Sequence, residues 1–413
     1  MSSMKTGTTV QLSAMMFLQF FIWGGWFVTL GTFLGGDPLN ASEAQKSMAF
    51  STQSWGAIIA PFIIGLIADR FFNAERILGV LHLLGAGLMY LMYQTTDFGT
   101  FYPYVLAYMI FYMPTLALVN SVAFRQMNDP SKQFPPIRVS GTIGWVVAGL
   151  VISFIFSWDS EEGIANGMLQ NTFLMTAAAS ALLGLFSFTL PKTPPAVEKG
   201  TKVSLSDILG LEALKLLKDR NFAIFFFSSV LICIPLAFYY QQTNPFLTEI
   251  GVSNATGKMT IGQVSEVLFM LLLPIFLKKY GIKKTLLLGM AAWAIRYVLF
   301  AFGDADSGVF MLLVGIALHG ICYDFFFVSG QIYTDSKAGK QYQSAAQGMI
   351  TLATYGVGML VGFWAAGKIT EMYTVSESVH DWQNIWLLPA GFAVLVFLIF
   401  LFAFKNETVE YDH

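Results

Sequence analysis

The chain has 413 residues, 55% of them hydrophobic and 12% charged, with a formal net charge of −2 and a mean hydropathy of +0.62. Soluble domains carry about 25% charged residues, so the composition excludes a water-exposed globule and calls for lipid as the solvent. The basic residues are scattered through short loops rather than massed on one face, which leaves no footprint for nucleic acid.

The N-terminal MSSMKTGTT runs into an apolar stretch of full membrane length without an A-x-A-like cleavage site. It reads as a retained first span, not a signal peptide. A hydrocarbon core of about 30 Å needs roughly 20 apolar residues per helix. Such runs fall at 10–34, 47–68, 77–94, 102–124, 137–158, 168–190, 222–246, 259–277, 285–302, 309–333, 345–367 and 384–404. The longest polar stretch, PKTPPAVEKGTKVSLSDILGLEALKLLKDR (191–220), divides them six and six. It starts Pro-rich, and from Ser206 its apolar spacing predicts a helix along the membrane surface. The expectation is an all-α membrane protein with twelve transmembrane helices in two pseudo-symmetric six-helix halves. The N-terminal bundle is 1–190, the linker 191–221 and the C-terminal bundle 222–413. That layout resembles the major facilitator superfamily, whose site lies near the membrane midplane.

The loops GLIADRFFNAER (65–76) and FLKKYGIKK (276–284) are short basic turns at equivalent places in the two halves. The first resembles the superfamily's loop signature at Gly65, Asp69 and Arg70, which makes Asp69 and Arg70 structural charges. Of the 23 Lys and Arg residues, eighteen fall in the termini, the central linker and the loops after even-numbered spans, and three fall in the other loops. The positive-inside rule then places both termini in the cytoplasm. Cys233 and Cys322 lie in apolar stretches as buried thiols, without disulfide or metal-ligand spacing. Neither a metal nor a cofactor is expected.

Four ionisable groups fall inside spans: Arg138, Glu266, Arg296 and Asp324. An intramembrane carboxylate costs a few kcal/mol and is a functional candidate by default. At 1.5 Å per residue, Glu266 lies about 11 Å, and Arg296 about 9 Å, below the outer ends of their spans. Depth permits pairing Glu266 with Arg296 and Arg138 with Asp324. Static pairs would make these charges structural, the expected role of Arg296. A carboxyl group that alternates between protonated and ionised states would instead couple transport to protons, and Glu266 and Asp324 are the two candidates.

Polar neighbours share faces with these charges. Arg138, Thr142 and Trp145 are spaced i, i+4, i+7, and Gln263 and Glu266 are i, i+3. His319 and Tyr323 are i, i+4 with Asp324 adjacent, and YYQQTN (239–244) adds Tyr240 and Gln241. Aromatic faces with amides and carboxylates suit a small, flat, hydroxyl-rich ligand. His82 is expected to be a packing histidine.

Seven segments carry a resemblance to a known family: FLQFFIWGGWFVTLG (17–31), MPTLALVNS (113–121), FPPIRVSGTIGW (134–145), GQVSEVLF (262–269), YGIKK (280–284), AWAIRYVLFAFGD (292–304) and YDFFFVSG (323–330). They closely resemble the nucleoside:proton symporter family of the major facilitator superfamily, through both halves. The resemblance implies proton-driven nucleoside uptake across a bacterial inner membrane. It also implies ligand contacts at Arg138, Thr142, Trp145, Gln263, Glu266, Tyr323 and Asp324. Where a family member offers a Gln and an Asn from span 7, matching by position puts Ala237 and Tyr240 here, with Gln241 or Gln242 as substitutes. His319 stands in place of a Tyr, and Trp145 in place of a Phe.

Alternating access between the halves, with a nucleoside and a proton as cargo, is the expected mechanism. A monomer is the superfamily default. The alternative cargo is a sugar or oligosaccharide on the same machine. A membrane-embedded enzyme is disfavoured: the four His are ungrouped, and neither H-E-x-x-H nor G-x-S-x-G occurs.

Overall fold

The computed structural model describes residues 5–63, 72–128, 130–194, 211–376 and 379–407. Inside hydrocarbon no water satisfies a backbone N–H or C=O, so each segment bonds within itself as a helix. In order, the helices are α1 Thr6–Gly24, α2 Leu30–Gly35, α3 Glu43–Ile63, α4 Ala74–Tyr93, α5 Phe98–Arg125, α6 Pro130–Leu150, α7 Glu161–Ala165 and α8 Asn171–Ser187. There follow α9 Arg220–Glu249, α10 Ala255–Phe302, α11 Val309–Ala317, α12 His319–Cys322, α13 Ser329–Thr351, α14 Met359–Met372 and α15 Trp382–Ala403. A small antiparallel hairpin, β1 Thr374–Ser376 with β2 Val379–His380, precedes α15.

Among the described residues, nine helical stretches are long and apolar enough to cross a membrane. One of them is α10, whose 48 residues would reach about 72 Å as a straight helix. That is more than twice the hydrocarbon thickness of about 30 Å. Gly281, at φ 73° and ψ 174°, breaks it, using a backbone region that only glycine enters cheaply. The predicted first span is likewise interrupted: α1 stops at Gly24, and helix resumes at Leu30. In the predicted surface helix of the linker, the described part, Leu211–Lys218, is a 3₁₀ helix.

The chain forms two compact units, residues 1–202 with 253–260, and residues 203–252 with 261–413. In the first unit glycines line the helix seams, where small residues let backbones approach. A Cβ on Gly79 would lie 3.0 Å from the Gly184 carbonyl oxygen, and one on Gly56 would meet Met109 backbone at 2.5 Å. One polar network of this core is fully paired. His82 Nε2 meets Gln19 Oε1 at 2.8 Å and His82 Nδ1 meets Ser180 Oγ at 3.1 Å. Gln19 Nε2 donates to Thr115 Oγ1 (2.7 Å), and the Tyr112 hydroxyl donates to the Gln19 carbonyl (2.7 Å). His82 is therefore the packing histidine expected, with both ring nitrogens occupied. Asp97 caps α5 by accepting from the Thr100 N–H at 2.9 Å. Its hydrogen bonding to Thr100 holds the carboxyl below its ordinary range.

The second unit is built on an aromatic core. Tyr297 stacks on Trp386 at 5.4 Å and 7°, and its hydroxyl donates to the Pro235 carbonyl in α9. Asp219 caps α9 by accepting from the Phe222 N–H (2.9 Å) and also receives Lys337 Nζ at 3.0 Å. Burial pushes this carboxyl up, but the donors outweigh it and leave it below its ordinary value. Asn221 and Lys405 exchange two hydrogen bonds of 3.0 and 2.9 Å, tying the start of α9 to the segment after α15.

Candidate functional site

The first unit contributes one face of α6. Arg138, Thr142 and Trp145 are all half-buried, and two close approaches to α1 place them. A Cβ on Gly141 would sit 2.6 Å from the Phe20 ring, and one on Gly24 would sit 2.8 Å from the Trp145 indole. With no side chains there, the Arg138 guanidinium lies over the Phe20 ring, 4.1 Å from its centroid. Trp145 meets Trp23 edge-on at 5.6 Å, and Trp23 meets Tyr112 in the same way. The face thus offers a cation, a hydroxyl and an indole supported by a layer of aromatic rings.

The second unit brings together α9, α10, α12 and the segment after it. Gln263 and Glu266 are half-buried on α10. A Cβ on Gly320 would lie 2.6 Å from the Ser265 backbone carbonyl, and one on Gly262 would lie 3.1 Å from His319 Cβ. Those two glycines let α12 seat directly on α10, where the Gly320 N–H donates to Ser265 Oγ at 3.0 Å. His319 Nε2 consequently faces Glu266 Oε2 at 3.9 Å.

Between Glu266 and Arg296, the two charges whose pairing depth permits, stands His319. Arg296 Nη1 donates to His319 Nδ1 at 3.3 Å, and its guanidinium lies 3.5 Å from the centre of the Tyr239 ring. Arg296 is wholly buried, on a helix with an aromatic surface beneath its cation. That aromatic ring stabilises the charge in place of a carboxylate.

Asp324 lies in the first turn of a π-helical segment, Tyr323–Val328. Its side chain is 0% exposed, and among the described residues neither carboxyl oxygen has a hydrogen-bond partner. Asp324 is close enough to Glu266 for the two carboxyls to interact electrostatically. Short π-helical turns are rare and concentrate at functional sites. Tyr323 is half-buried, and its hydroxyl shares a 2.7 Å hydrogen bond with Tyr355.

On α9, Tyr240 is half-buried, whereas Gln241 is fully buried. Ala237, which the family resemblance set at a ligand position, packs inside the bundle: a Cβ on Gly362 would lie 2.6 Å from its methyl group. Tyr240 is therefore the member of that pair which the helix leaves accessible. Asp69 and Arg70 lie outside the described residues.

Three participants were not singled out from sequence. Tyr239 is the platform for Arg296, Tyr355 is the partner of Tyr323, and Trp23 supports Trp145. Tyr239 had a signal in its place beside Tyr240. Tyr355 had none, because it belongs to another π-helical segment, Leu352–Gly358, where the 3.6-residue period fails.

The nucleoside H+ symporter family profile matches residues 4–409. The chain belongs to the nucleoside H+ symporter family. It is 45% identical to the putative nucleoside transporter YegT of Escherichia coli K12, over 98% of this chain and 95% of that protein. It is 36% identical to the xanthosine permease of the same strain, over 96% of each. The crystal structure of the nucleoside transporter NupG superimposes with a TM-score of 0.85 at 32% identity, covering 97% of this chain and 100% of that one. A D-xylose–proton symporter, at 15% identity and a TM-score of 0.72 over 98% of this chain and 100% of that one, shares the fold alone. As a member of this family the protein is a multi-pass membrane transporter, and nucleosides and protons are its cargo.

Proposed function

We infer that this transporter imports nucleosides together with protons by alternating access, across a bacterial inner membrane with both termini cytoplasmic. The family match over residues 4–409 carries the reading, and the chemistry of the two polar faces supports it. Twelve spans in two six-helix halves, 1–190 and 222–413 joined by 191–221, are the architecture proposed, with α10 supplying two spans on either side of Gly281. A monomer is the working state.

Arg138, Thr142 and Trp145 from one unit, and Tyr240, Gln263, Glu266, His319, Tyr323 and Asp324 from the other, are the ligand contacts proposed. Gln241 serves from within the α9 wall. Indole and phenol faces accept a flat base, while amide, carboxyl and guanidinium groups match its edge and the ribose hydroxyls. Glu266 and Asp324 are the proton-coupling groups, since carboxyls placed inside a membrane span are functional candidates by default.

Competition assays in whole cells test the cargo. Uptake of labelled uridine and adenosine should be saturable, and unlabelled nucleosides should compete while ribose and disaccharides do not. Competition by sugars with no effect of nucleosides would overturn the reading.

A further inference from the structure

We propose that Arg296 locks His319 as a neutral imidazole with its proton on Nε2, a permanent donor that positions the Glu266 carboxylate and does not itself carry the transported proton. The role assigned to Glu266 rests on the proton-coupled reading above. The state assigned to His319 rests on geometry alone.

A guanidinium has five N–H donors, accepts nothing, and is not deprotonated in proteins. His319 Nδ1, 3.3 Å from Arg296 Nη1, must therefore accept. A neutral imidazole carries one ring proton, and with Nδ1 accepting, that proton sits on Nε2. Nε2 is the atom that faces Glu266 Oε2 at 3.9 Å, so the N–H is directed at the carboxylate across a gap longer than a hydrogen bond. Protonating the ring would place two donors against each other at Nδ1 and set a second cation beside the first.

The ring is held in this orientation. It stacks on Tyr239 at 5.2 Å and 21°, and on Tyr323 at 5.8 Å and 29°. The same Tyr239 ring carries the Arg296 guanidinium at 3.5 Å. A ring flipped by half a turn would present C–H edges to both Arg296 and Glu266, losing the Arg296 hydrogen bond and turning the N–H away from the carboxylate. The titratable groups around His319 are Tyr239 and Tyr240 from α9, Glu266 and Arg296 from α10, and Cys322, Tyr323 and Asp324 from its own stretch of chain. His319 is 2% exposed and Arg296 0%, so bulk water does not compete for the bond between them.

A donor that cannot become an acceptor gives the site a fixed polarity. Glu266, when ionised, is drawn toward Nε2–H, and when protonated it is released to turn toward a ligand. A tyrosine hydroxyl at this position could donate or accept. The histidine, pinned by Arg296, only donates, and proton storage falls to the carboxyl groups.

The test is nitrogen NMR of the full-length protein, ¹⁵N-labelled at histidine and purified in lipid nanodiscs, with the His319→Gln variant identifying the His319 signals. Nδ1 should be unprotonated and Nε2 protonated throughout about pH 5 to 8, the range in which a free histidine changes charge. A proton on Nδ1, or a doubly protonated ring at the acid end, would overturn the proposal. This readout requires no transport, so it stands or falls separately from the nucleoside reading.

Uridine uptake tests the positioning role. His319→Leu should raise KM about tenfold, a loss of about 1.4 kcal/mol, and His319→Gln, which keeps an N–H donor, should raise it less. The midpoint of the pH profile should stay in place in both. A shifted or flattened profile in His319→Gln, or an unchanged KM in His319→Leu, would contradict the role.

Discussion

At the scale of single residues, the buried polar groups of the two units fall into two kinds. His82 has both ring nitrogens occupied, by Gln19 and Ser180, and its bonds join α1, α4 and α8. Such a group stabilises by being satisfied, and removing it strands its partners. His82→Leu should therefore lower stability by about 1–3 kcal/mol, the cost of orphaned buried polar atoms, and leave the KM for nucleoside unchanged. Thermal unfolding followed beside uptake kinetics checks both halves of that expectation. Asp324 is the other kind, fully buried with neither carboxyl oxygen hydrogen-bonded among the described residues. A structural aspartate would be expected to resemble Asp97 or Asp219, each engaged by a backbone N–H. The sequence made the membrane charges visible because Arg138, Glu266, Arg296 and Asp324 stand out against apolar neighbours. It could not reveal that a histidine stands between Glu266 and Arg296, since depth along a helix says nothing about which way a side chain turns.

At the scale of elements, glycine seams decide where the candidate side chains sit. Gly320 allows α12 to rest on the Ser265–Glu266 backbone, and Gly24 and Gly141 allow α6 to rest on α1. A Cβ at position 320 would meet backbone at 2.6 Å, and backbone cannot swing aside as a side chain can. Gly320→Ala should separate α12 from α10, lower the melting temperature by several degrees and abolish uptake. Gly348, with nothing within 4 Å of its Cβ position, provides the contrast. Gly348→Ala should retain uptake and gain up to about 1 kcal/mol from helix propensity. The long apolar runs were legible because twenty apolar residues in succession have few other uses. The breaks within them were less so. The π-helical segments at Tyr323–Val328 and Leu352–Gly358 follow tertiary packing and leave no periodic mark. The stop of α1 at Gly24 was written only as a Gly-Gly pair inside an apolar run. Ala237 shows the limit of matching by position, since its burial against Gly362 depends on helix rotation.

At the scale of the whole molecule, membership of the nucleoside H+ symporter family ties these details to transport. Each unit carries a polar face. One supplies a cation, a hydroxyl and an indole, and the other supplies carboxyls, amides and phenols. A proton-coupled carrier must also bind a proton, and among the described residues the carboxyls deep within spans, Glu266 and Asp324, lie in the second unit. Coupling is therefore expected to be lost when those carboxyls can no longer ionise, even where the ligand still binds. The most direct measurement is labelled uridine accumulation in proteoliposomes with an imposed inward proton gradient, comparing the unmodified protein with Glu266→Gln and Asp324→Asn. The unmodified protein should concentrate uridine above the external level and lose that ability when a protonophore is added, and at least one variant should show no gradient-driven accumulation. Gradient-driven accumulation that persists in both variants and still collapses with the protonophore would contradict the account.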